Sequence, residues 1–311
     1  EDNLVLGTDF NYRNSRVFGN RTVEGHAWFL HSSSTGADGD DQAWGLKLSY
    51  PNDRIDWTFS VTEIGERFNA ALGFVPRRGI REYFGMWRYR WRPRGSFVRT
   101  IDTRLRGFLV TDLDGQTETR ELAFELLEVR SADGDELSFE VEFNREVLDE
   151  PFEIRSGIAI PPGDHRFNRL GGSLRTSDGR PLSFFASVEG GEFFDGDRLD
   201  FELGAELRPS PHLFLGFSWE HNDVKLPAGD FTLQIAQARV NVLLSPNVAW
   251  TNFIQWDSAS DSLGINSRLR WIIEPGNELF FVVNQAINTE GNRFDSTATE
   301  VTTKVGWTFR F

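Results

Sequence analysis

Charged side chains recur at even spacing in four neighbouring stretches of the chain. Two basic stretches are followed by two acidic ones, and together they carry Arg88, Arg90, Arg92, Arg104, Arg106, Glu121, Glu125, Glu140 and Glu142. Because residues two apart in a β-strand share one face, this spacing predicts a basic wall beside an acidic wall. Two interpretations stay open. The walls impose a transverse electric field on dipolar solutes, or they neutralise each other as cross-strand ion pairs that only stabilise the fold.

The histidines are the candidates for acid–base chemistry, and there are five of them: His26, His31, His165, His212 and His221. No Gly-x-Ser-x-Gly motif accompanies them. His31 precedes Ser32, but neighbours on a strand point to opposite faces and do not form a nucleophile–base pair. A histidine at the rim of a sheet is typically solvated or part of an aromatic girdle. We therefore predict no catalytic residue and no enzyme activity.

Three Asp-Gly-Asp turns, beginning at Asp38, Asp133 and Asp195, are the candidates for a metal site. Calcium requires six to eight oxygen ligands, and none of these turns has the spacing of a full binding loop. We interpret them as solvated turns and predict neither a metal nor a cofactor. Cysteine is absent, which excludes disulfides, thiolate metal sites and cysteine nucleophiles.

The composition combines a polar chain with many aromatic residues. The 311 residues have a mean hydropathy of −0.40, yet they include 28 Phe and 10 Trp. A helical membrane protein would need apolar runs of about 18 residues, and there are none. The aromatic residues fit the girdles of a membrane β-barrel, or the core of a large soluble β-sandwich. The net charge of −14 argues against nucleic acid as a partner.

Strict alternation of apolar and polar residues identifies the elements that carry these side chains. It is clearest in residues 137–144, 199–208, 213–219 and 263–273. These segments of about 10 residues are long enough to cross a bilayer as tilted strands. The pattern predicts an all-β fold, an antiparallel transmembrane β-barrel with about 16–18 strands in this chain. Residues 1–311 then form a single domain.

The connectors alternate between two kinds. Tight turns rich in Pro, Gly, Asn and Asp occur at Pro51, Pro93, Gly134, Gly179, Pro209, Pro246 and Pro275. Longer segments occur at residues 66–80, 145–164, 190–196, 221–230 and 288–296. Short turns at one rim and long loops at the other are typical of bacterial outer-membrane barrels, which predicts that the short turns face the periplasm.

The two longest loops leave open questions. Residues 145–164 either fold into the pore as a constriction or extend two strands above the membrane. Residues 68–78 combine apolar and basic side chains, and they dock either inside the barrel mouth or on a protein partner.

The last residues of the chain resemble a targeting signal. One face of the final strand carries Val301, Thr303, Val305, Trp307, Phe309 and the terminal Phe311. A terminal strand of this kind resembles the signal read by the outer-membrane barrel assembly machinery, here expected as a partner during biogenesis. It predicts a periplasmic C-terminus, with Trp307 facing lipid and Lys304 and Arg310 facing the lumen. The alternative is the last strand of a soluble sandwich.

Three stretches resemble a known family of barrels. They are residues 68–78, residues 151–154 followed by 160–163, and residues 255–257 with 266–271. They are similar to the C-terminal barrel, a domain of unknown function, of bacterial outer-membrane proteins with an N-terminal domain similar to carbohydrate-binding family nine. The resemblance implies the barrel fold, the outer-membrane location and an association with saccharides. It implies no catalytic residue.

Three functions follow as hypotheses. The first is a pore for small polar solutes, with saccharides as the solutes that the resemblance implies. The second is a plugged structural anchor that holds a carbohydrate-binding domain or a protein partner at the outer membrane. The third is a barrel enzyme, which the histidine pattern disfavours.

The number of strands gives a further expectation. Counting back from Phe311 gives about 17 strands, whereas bacterial single-chain barrels have even numbers. An open sheet edge in lipid is costly, because its backbone groups have no partner. We therefore expect the chain to be the C-terminal part of a longer protein, with the barrel completed by an upstream segment or a separate chain.

Overall fold

The computed structural model describes residues 2–35, 41–95 and 97–309 and is built almost entirely of β-strands. The first ten are β1 (Asn3–Val17), β2 (Arg21–Ser34), β3 (Asp41–Pro51), β4 (Ile55–Ile64), β5 (Ile80–Trp91), β6 (Val98–Asp112), β7 (Thr117–Ser131), β8 (Glu136–Leu148), β9 (Phe152–Arg155) and β10 (Ile158–Ile160). The others are β11 (Gly163–Arg175), β12 (Leu182–Phe193), β13 (Gly196–Ser210), β14 (Leu213–Leu226), β15 (Gly229–Ser245), β16 (Val248–Asp257), β17 (Ser262–Glu274), β18 (Asn277–Asn288) and β19 (Asp295–Gly306). Among these residues, no helix is long and apolar enough to span a membrane.

Seventeen of the strands form one antiparallel sheet in which each strand pairs with the next along the chain. The exception is the short hairpin β9–β10, which leaves the sheet, so that β8 pairs directly with β11. The predicted all-β, antiparallel architecture and its strand number are therefore confirmed. Of residues 145–164, the ends belong to β8 and β11, and residues 149–162 make one excursion that adds no strand to the large sheet.

The sheet has an apolar face and a polar face, as the alternation predicts. On β13 the apolar face carries Leu199, Phe201, Leu203, Ala205 and Leu207, and the polar face carries Asp200 and Glu202. The apolar side chains are solvent-exposed, with Leu203 at 47% and Phe217 of β14 at 53%. From Leu199 to Leu207 the strand rises roughly 27 Å, enough for an apolar band about 25 Å tall if the strand is only moderately tilted.

The connections differ between the two ends of the sheet, which we call the loop end and the turn end. The loop end carries residues 65–79 and 149–162, and the turn end carries tight turns such as 211–212, 246–247 and 275–276. The prediction of longer loops at residues 190–196 and 221–230 is wrong. Most of these residues belong to strands, and the connections are two-residue turns at 194–195 and 227–228. Gly196 permits this close pairing, since a Cβ there would lie 1.9 Å from the Lys225 carbonyl oxygen.

An aromatic girdle lies on the apolar face near the turn end. Tyr50, Trp57 and Trp87 are directly opposite one another on β3, β4 and β5. The Tyr50 and Trp57 rings are stacked with their centroids 5.9 Å apart. Trp250 and Trp271 occupy the same end of β16 and β17. Aromatic rings in such a band favour an interface between apolar and aqueous surroundings.

The first and last strands of the sheet are its edges. Within the described residues, β1 is paired in register with β2 and β19 with β18, each along one side. As the first and the seventeenth strand of an antiparallel series, β1 and β19 run in the same direction. Eleven of the twelve β19 residues are exposed, so both of its faces are open.

The C-terminal strand is shorter than predicted. The sequence predicts a strand up to Phe311, but β19 ends at Gly306, and Trp307 and Phe309 follow it outside the strand. The reason is that β18 begins at Asn277, whose side-chain oxygen accepts a bond from the Thr308 backbone N–H at 2.8 Å. Beyond the last pair, Glu278 with Gly306, only Asn277 of β18 remains to extend the ladder. Phe311 and Arg310 lie outside the described residues.

Candidate functional site on the polar face

The predicted charged walls share the polar face of strands β5 to β8. Arg88 lies directly opposite Arg104 on β6, and Arg104 lies opposite Glu125 on β7. Glu125 in turn lies opposite Glu140 on β8. This face is opposite the one that carries Trp87. The alternation in the sequence therefore brings the basic and acidic residues together as predicted.

The two walls interlock through ion pairs. Arg104 bonds to Glu125 at 2.7 Å and lies 3.4 Å from Glu128. Arg106 reaches Glu142 at 3.5 Å and Glu140 at 3.8 Å. Glu121 lies on the same face of β7, exposed and with no ion pair in the described part of the chain. The geometry fits the ion-pair interpretation, and the role of these residues in function stays a prediction.

Two more pairs extend this network to β4 and into β6. The Arg88 guanidinium lies 3.0 Å from the Asp56 carboxylate. Arg90 donates from Nε and Nη2 to Asp102, at 2.8 and 2.6 Å. The side chain of Asp102 is fully buried. A buried carboxylate depends on its cation, because unpaired charge is costly away from water.

Turns beyond the strands are held by further ion pairs. Arg92, predicted as part of the basic wall, lies just past the end of β5 and donates to Asp53 in the β3–β4 turn, at 2.5 and 3.0 Å. This hydrogen bond holds the pKa of Asp53 below its usual value. In the same way, Arg180 lowers the pKa of Asp135. The turn that begins at Asp133 thus contributes a structural ion pair.

A second region of the polar face was not predicted. On strands β11 to β18, arginines lie over phenylalanine rings in five pairs: Arg175 over Phe185, Arg198 over Phe193, Arg208 over Phe214, Arg239 over Phe253 and Arg270 over Phe280. The separations run from 4.4 to 5.7 Å. Contacts of this kind are favourable between a cation and an aromatic face. Even spacing placed each residue on the polar face, but only the strand registers show which side chains meet.

An acidic cavity of about 370 Å³ extends from β8 to β14. Glu189 and Asp200 face each other there and share Arg169, which lies 2.5 Å from Glu189 and also bonds to Asp200. Beside them Glu202 lies directly opposite Glu220, and neither has an ion pair among the described residues. Like charges placed directly opposite each other are destabilising unless a cation or solvent compensates them.

The β9–β10 hairpin folds over the polar face at the loop end. Ile160 is 2% exposed and packs with Val224, Leu226 and Phe231 on the polar face of β14 and β15. Arg155 of the hairpin lies over the Phe231 ring at 5.3 Å. Since β15 is four strands from β11, the hairpin reaches roughly 19 Å along the sheet. Of the two predicted arrangements, the structure agrees with the one in which this segment folds back, here over the polar face of the sheet.

His165 ties this hairpin to the sheet. Its ring is 5% exposed, with Nδ1 2.8 Å from an Asp195 carboxylate oxygen and Nε2 2.9 Å from the Pro161 carbonyl oxygen. The expectation of a solvated rim histidine is therefore wrong for His165. The reason is that β11 carries it on the polar face directly beneath the folded hairpin. The turn at Asp195 also helps to fix the hairpin, because its carboxylate contacts the His165 ring.

The loop of residues 65–79 folds over the same face from the other side. Phe68 is 3% exposed, and the Asn69 N–H donates to Ser32 Oγ at 3.0 Å. The side chain of Asn3 donates to the Asn69 carbonyl oxygen at 3.0 Å. Of the two arrangements left open by the sequence, this loop docks on the sheet's own polar face.

The remaining candidates for chemistry lie apart from one another. His212 bonds through Nδ1 to the Leu243 carbonyl oxygen at 2.8 Å, and His221 lies on the apolar face, 5.4 Å from the Trp219 ring. Within residues 2–35, 41–95 and 97–309, no three His, Asp or Glu side chains are grouped to hold a metal ion. The turn at Asp38 lies outside these ranges.

Comparison with known proteins gives likeness in structure only. No family model and no curated protein matches the chain. The siderophore receptor PirA from Acinetobacter baumannii matches with 9% identity and a TM-score of 0.40, over 97% of this chain and 71% of that one.

PirA from Pseudomonas aeruginosa matches with 12% identity and a TM-score of 0.41, over 99% and 70% of the two chains. A mutant of the ferric enterobactin receptor PfeA from Pseudomonas aeruginosa matches with 9% identity and a TM-score of 0.43, over 97% and 69%. Because these identities and TM-scores are low, function is argued below from the residues of this chain.

Proposed function

We propose that this chain forms an outer-membrane β-barrel that serves as a restricted channel for small polar solutes. The observation that carries the proposal is the division of a 17-stranded sheet into an exposed apolar face and a charged face. In water, such a large apolar surface would favour aggregation. In a bilayer it faces lipid, whereas arginines there would cost about 2–4 kcal/mol each at the midplane. The polar face, with its ion pairs, then lines the lumen.

The orientation follows from the two ends of the sheet. Outer-membrane barrels carry short turns on the periplasmic side and longer loops outside. The turn end, and with it the C-terminus, is therefore assigned to the periplasm. The loop end, with residues 65–79 and the β9–β10 hairpin, is assigned to the cell exterior.

Two features favour small polar solutes. The β9–β10 hairpin and the loop of residues 65–79 both bend over the polar face, which narrows the mouth and excludes large solutes. Below them, the Arg–Phe pairs present aromatic rings beside hydrogen-bond donors. Sugars combine apolar ring faces with hydroxyl groups, so saccharides fit this lining, in agreement with the family resemblance of the sequence.

A plugged anchor is the second candidate function. The specific observation in its favour is the buried contact of Ile160 with β14 and β15, because a tightly packed hairpin holds the lumen closed. In this case the barrel holds a carbohydrate-binding domain or a protein partner at the membrane and conducts nothing.

Planar-bilayer recording separates the two candidates. We expect the purified protein to give discrete conductance steps, reduced by added oligosaccharides. A variant in which Gly-Ser residues replace 151–161 should give larger steps, since the constriction is gone. If the unaltered protein is silent and only this variant conducts, the channel proposal is wrong and the anchor is favoured. Silence of both would also reject the channel.

We also propose that a further strand joins β1 to β19. The two edges run in the same direction, so a single strand, or any odd number, pairs antiparallel with both. Such a strand would satisfy the backbone groups that each edge exposes to lipid. It comes from an upstream segment or from a separate chain, and cross-linking between cysteines placed on β1 and β19 in whole cells tests for it. Direct cross-links at the spacing of adjacent strands would reject the extra strand.

A further inference from the structure

Three arginines form a row on the apolar face near the loop end. Arg120 on β7 lies directly opposite Arg145 on β8, and Arg145 lies directly opposite Arg166 on β11. Each is three residues inside the loop end of its strand. They share the face of Leu122 and Phe143, not that of the ion-paired walls. This arginine row therefore points away from the lumen.

The arginine row carries more positive charge than its neighbours balance. Asp164 accepts bonds from Arg145 at 2.8 Å and from Arg166 at 3.2 Å. Arg120 has no ion pair in the described part of the chain. The nearby Glu118 is bonded to Arg77, at 2.5 Å. Like charges directly opposite each other repel, so one carboxylate for three guanidinium groups leaves a place for a further anion.

An apolar groove of about 1000 Å³ begins at Arg120, the first arginine of the row. Its floor is formed by Gly85 and Gly107, which lie directly opposite each other on β5 and β6. Its lining includes Phe59, Leu122 and Arg120. The missing side chains of the two glycines create a depression on a face that otherwise carries large residues.

We propose that this surface binds a phosphorylated lipid of the outer leaflet, with the phosphate on the arginine row and an acyl chain in the groove. The inference rests on the proposed outer-membrane location. Guanidinium groups bind phosphate through paired hydrogen bonds, and the groove offers an acyl chain a largely apolar lining. The arrangement places the charge at the loop end, where headgroups of the outer leaflet lie.

Native mass spectrometry of the detergent-solubilised protein tests the proposal. The probe is lipid A, a bisphosphorylated acylated glucosamine disaccharide, compared with its dephosphorylated form and with inorganic phosphate. We expect lipid A to bind, and the other two to bind far more weakly. Arg120→Gln and Arg166→Gln should each weaken lipid A binding about tenfold. Gly107→Leu should weaken it as well by filling the groove, and the fold should tolerate it, since the nearest atom to a Cβ there is 3.9 Å away.

Matched controls lie on the polar face. Arg239→Gln removes the same charge from an arginine that, like Arg120, has no ion pair among the described residues. Gly264→Leu adds the same side chain as Gly107→Leu, with 3.9 Å of space. Both should leave lipid A binding unchanged. Equal binding of the dephosphorylated lipid, binding of phosphate as tight as that of lipid A, or equal losses in the controls would each overturn the proposal.

The outcome is separable from that for the proposed function. A chain that stays dispersed without detergent would contradict the outer-membrane location itself. Insertion and conductance without dependence on the lipid phosphate would contradict this site alone.

Discussion

Arg90 holds the buried carboxylate of Asp102 through two guanidinium nitrogens, at 2.8 and 2.6 Å. The partners lie directly opposite each other on β5 and β6. The side chain of Asp102 is 0% exposed and that of Arg90 is 17% exposed. Removal of Arg90 therefore leaves a carboxylate at a buried position without its cation.

We predict that Arg90→Ala lowers the free energy of unfolding by about 3 kcal/mol, because Asp102 is left buried without a cation. Urea unfolding in lipid vesicles measures it. Arg208→Ala is the control, since its pair with Glu206 is much more exposed, and it should cost less than about 1 kcal/mol. The double variant Arg90→Met, Asp102→Leu should recover much of the loss. Equal effects of the two single variants would show that burial of Asp102 is unimportant.

The second prediction concerns the faces of the sheet. The chain has no cysteine, so single-cysteine variants report without background. Glu202→Cys should react with a membrane-impermeant thiol reagent, and Leu203→Cys, its immediate neighbour, should be protected by lipid. In a second pair of variants, Lys304→Cys should react with the reagent, and Trp307→Cys should be protected by lipid. Labelling of Leu203→Cys but not Glu202→Cys would reverse the assignment of the lumen.

The third prediction concerns ion selectivity. The chain has a net charge of −14, and the arginines facing the acidic wall are already paired with carboxylates. We therefore expect the channel to prefer cations, as read from the reversal potential in a salt gradient. Glu220→Gln should reduce the preference because Glu220 has no ion pair in the described residues, and Arg239→Gln should increase it. An anion preference of the unaltered protein would contradict the prediction.

The fourth prediction concerns acid. Arg180 lowers the pKa of Asp135 from its ordinary value of 3.8 in the folded state. The ion pair therefore stabilises the fold above that value, and this contribution is lost as the pH falls below it towards the lowered pKa. Between about pH 5 and pH 3, the urea midpoint should fall more for the unaltered protein than for Asp135→Asn. As a control, Asp178→Asn in the next turn should show the same fall in the urea midpoint as the unaltered protein. If the fall for Asp135→Asn is equally large, the ion pair of Asp135 with Arg180 does not contribute to stability.

Much of the architecture follows from the sequence because strand alternation is a local property. The spacing of Leu199 to Leu207 identifies the apolar face, and the prolines at 51, 209, 246 and 275 mark turns. The positions of Arg88, Arg104 and Glu140 on one face follow from the same rule. A period of two depends only on the geometry of an extended backbone, so no knowledge of neighbouring strands is needed.

The pairing of side chains was decided by the tertiary structure. The register shifts between Asp102 and Arg104 and between Glu125 and Leu127 set which charges meet, and no local pattern predicts them. The arginine row depends on three registers, and the contact of Ile160 with Phe231 joins residues about seventy positions apart in the chain. Turn geometry and bulges fix each register, and a shift of one residue would move every side chain to the other face. The sequence therefore determined which side chains share a face, and only the assembled sheet determined which of them touch.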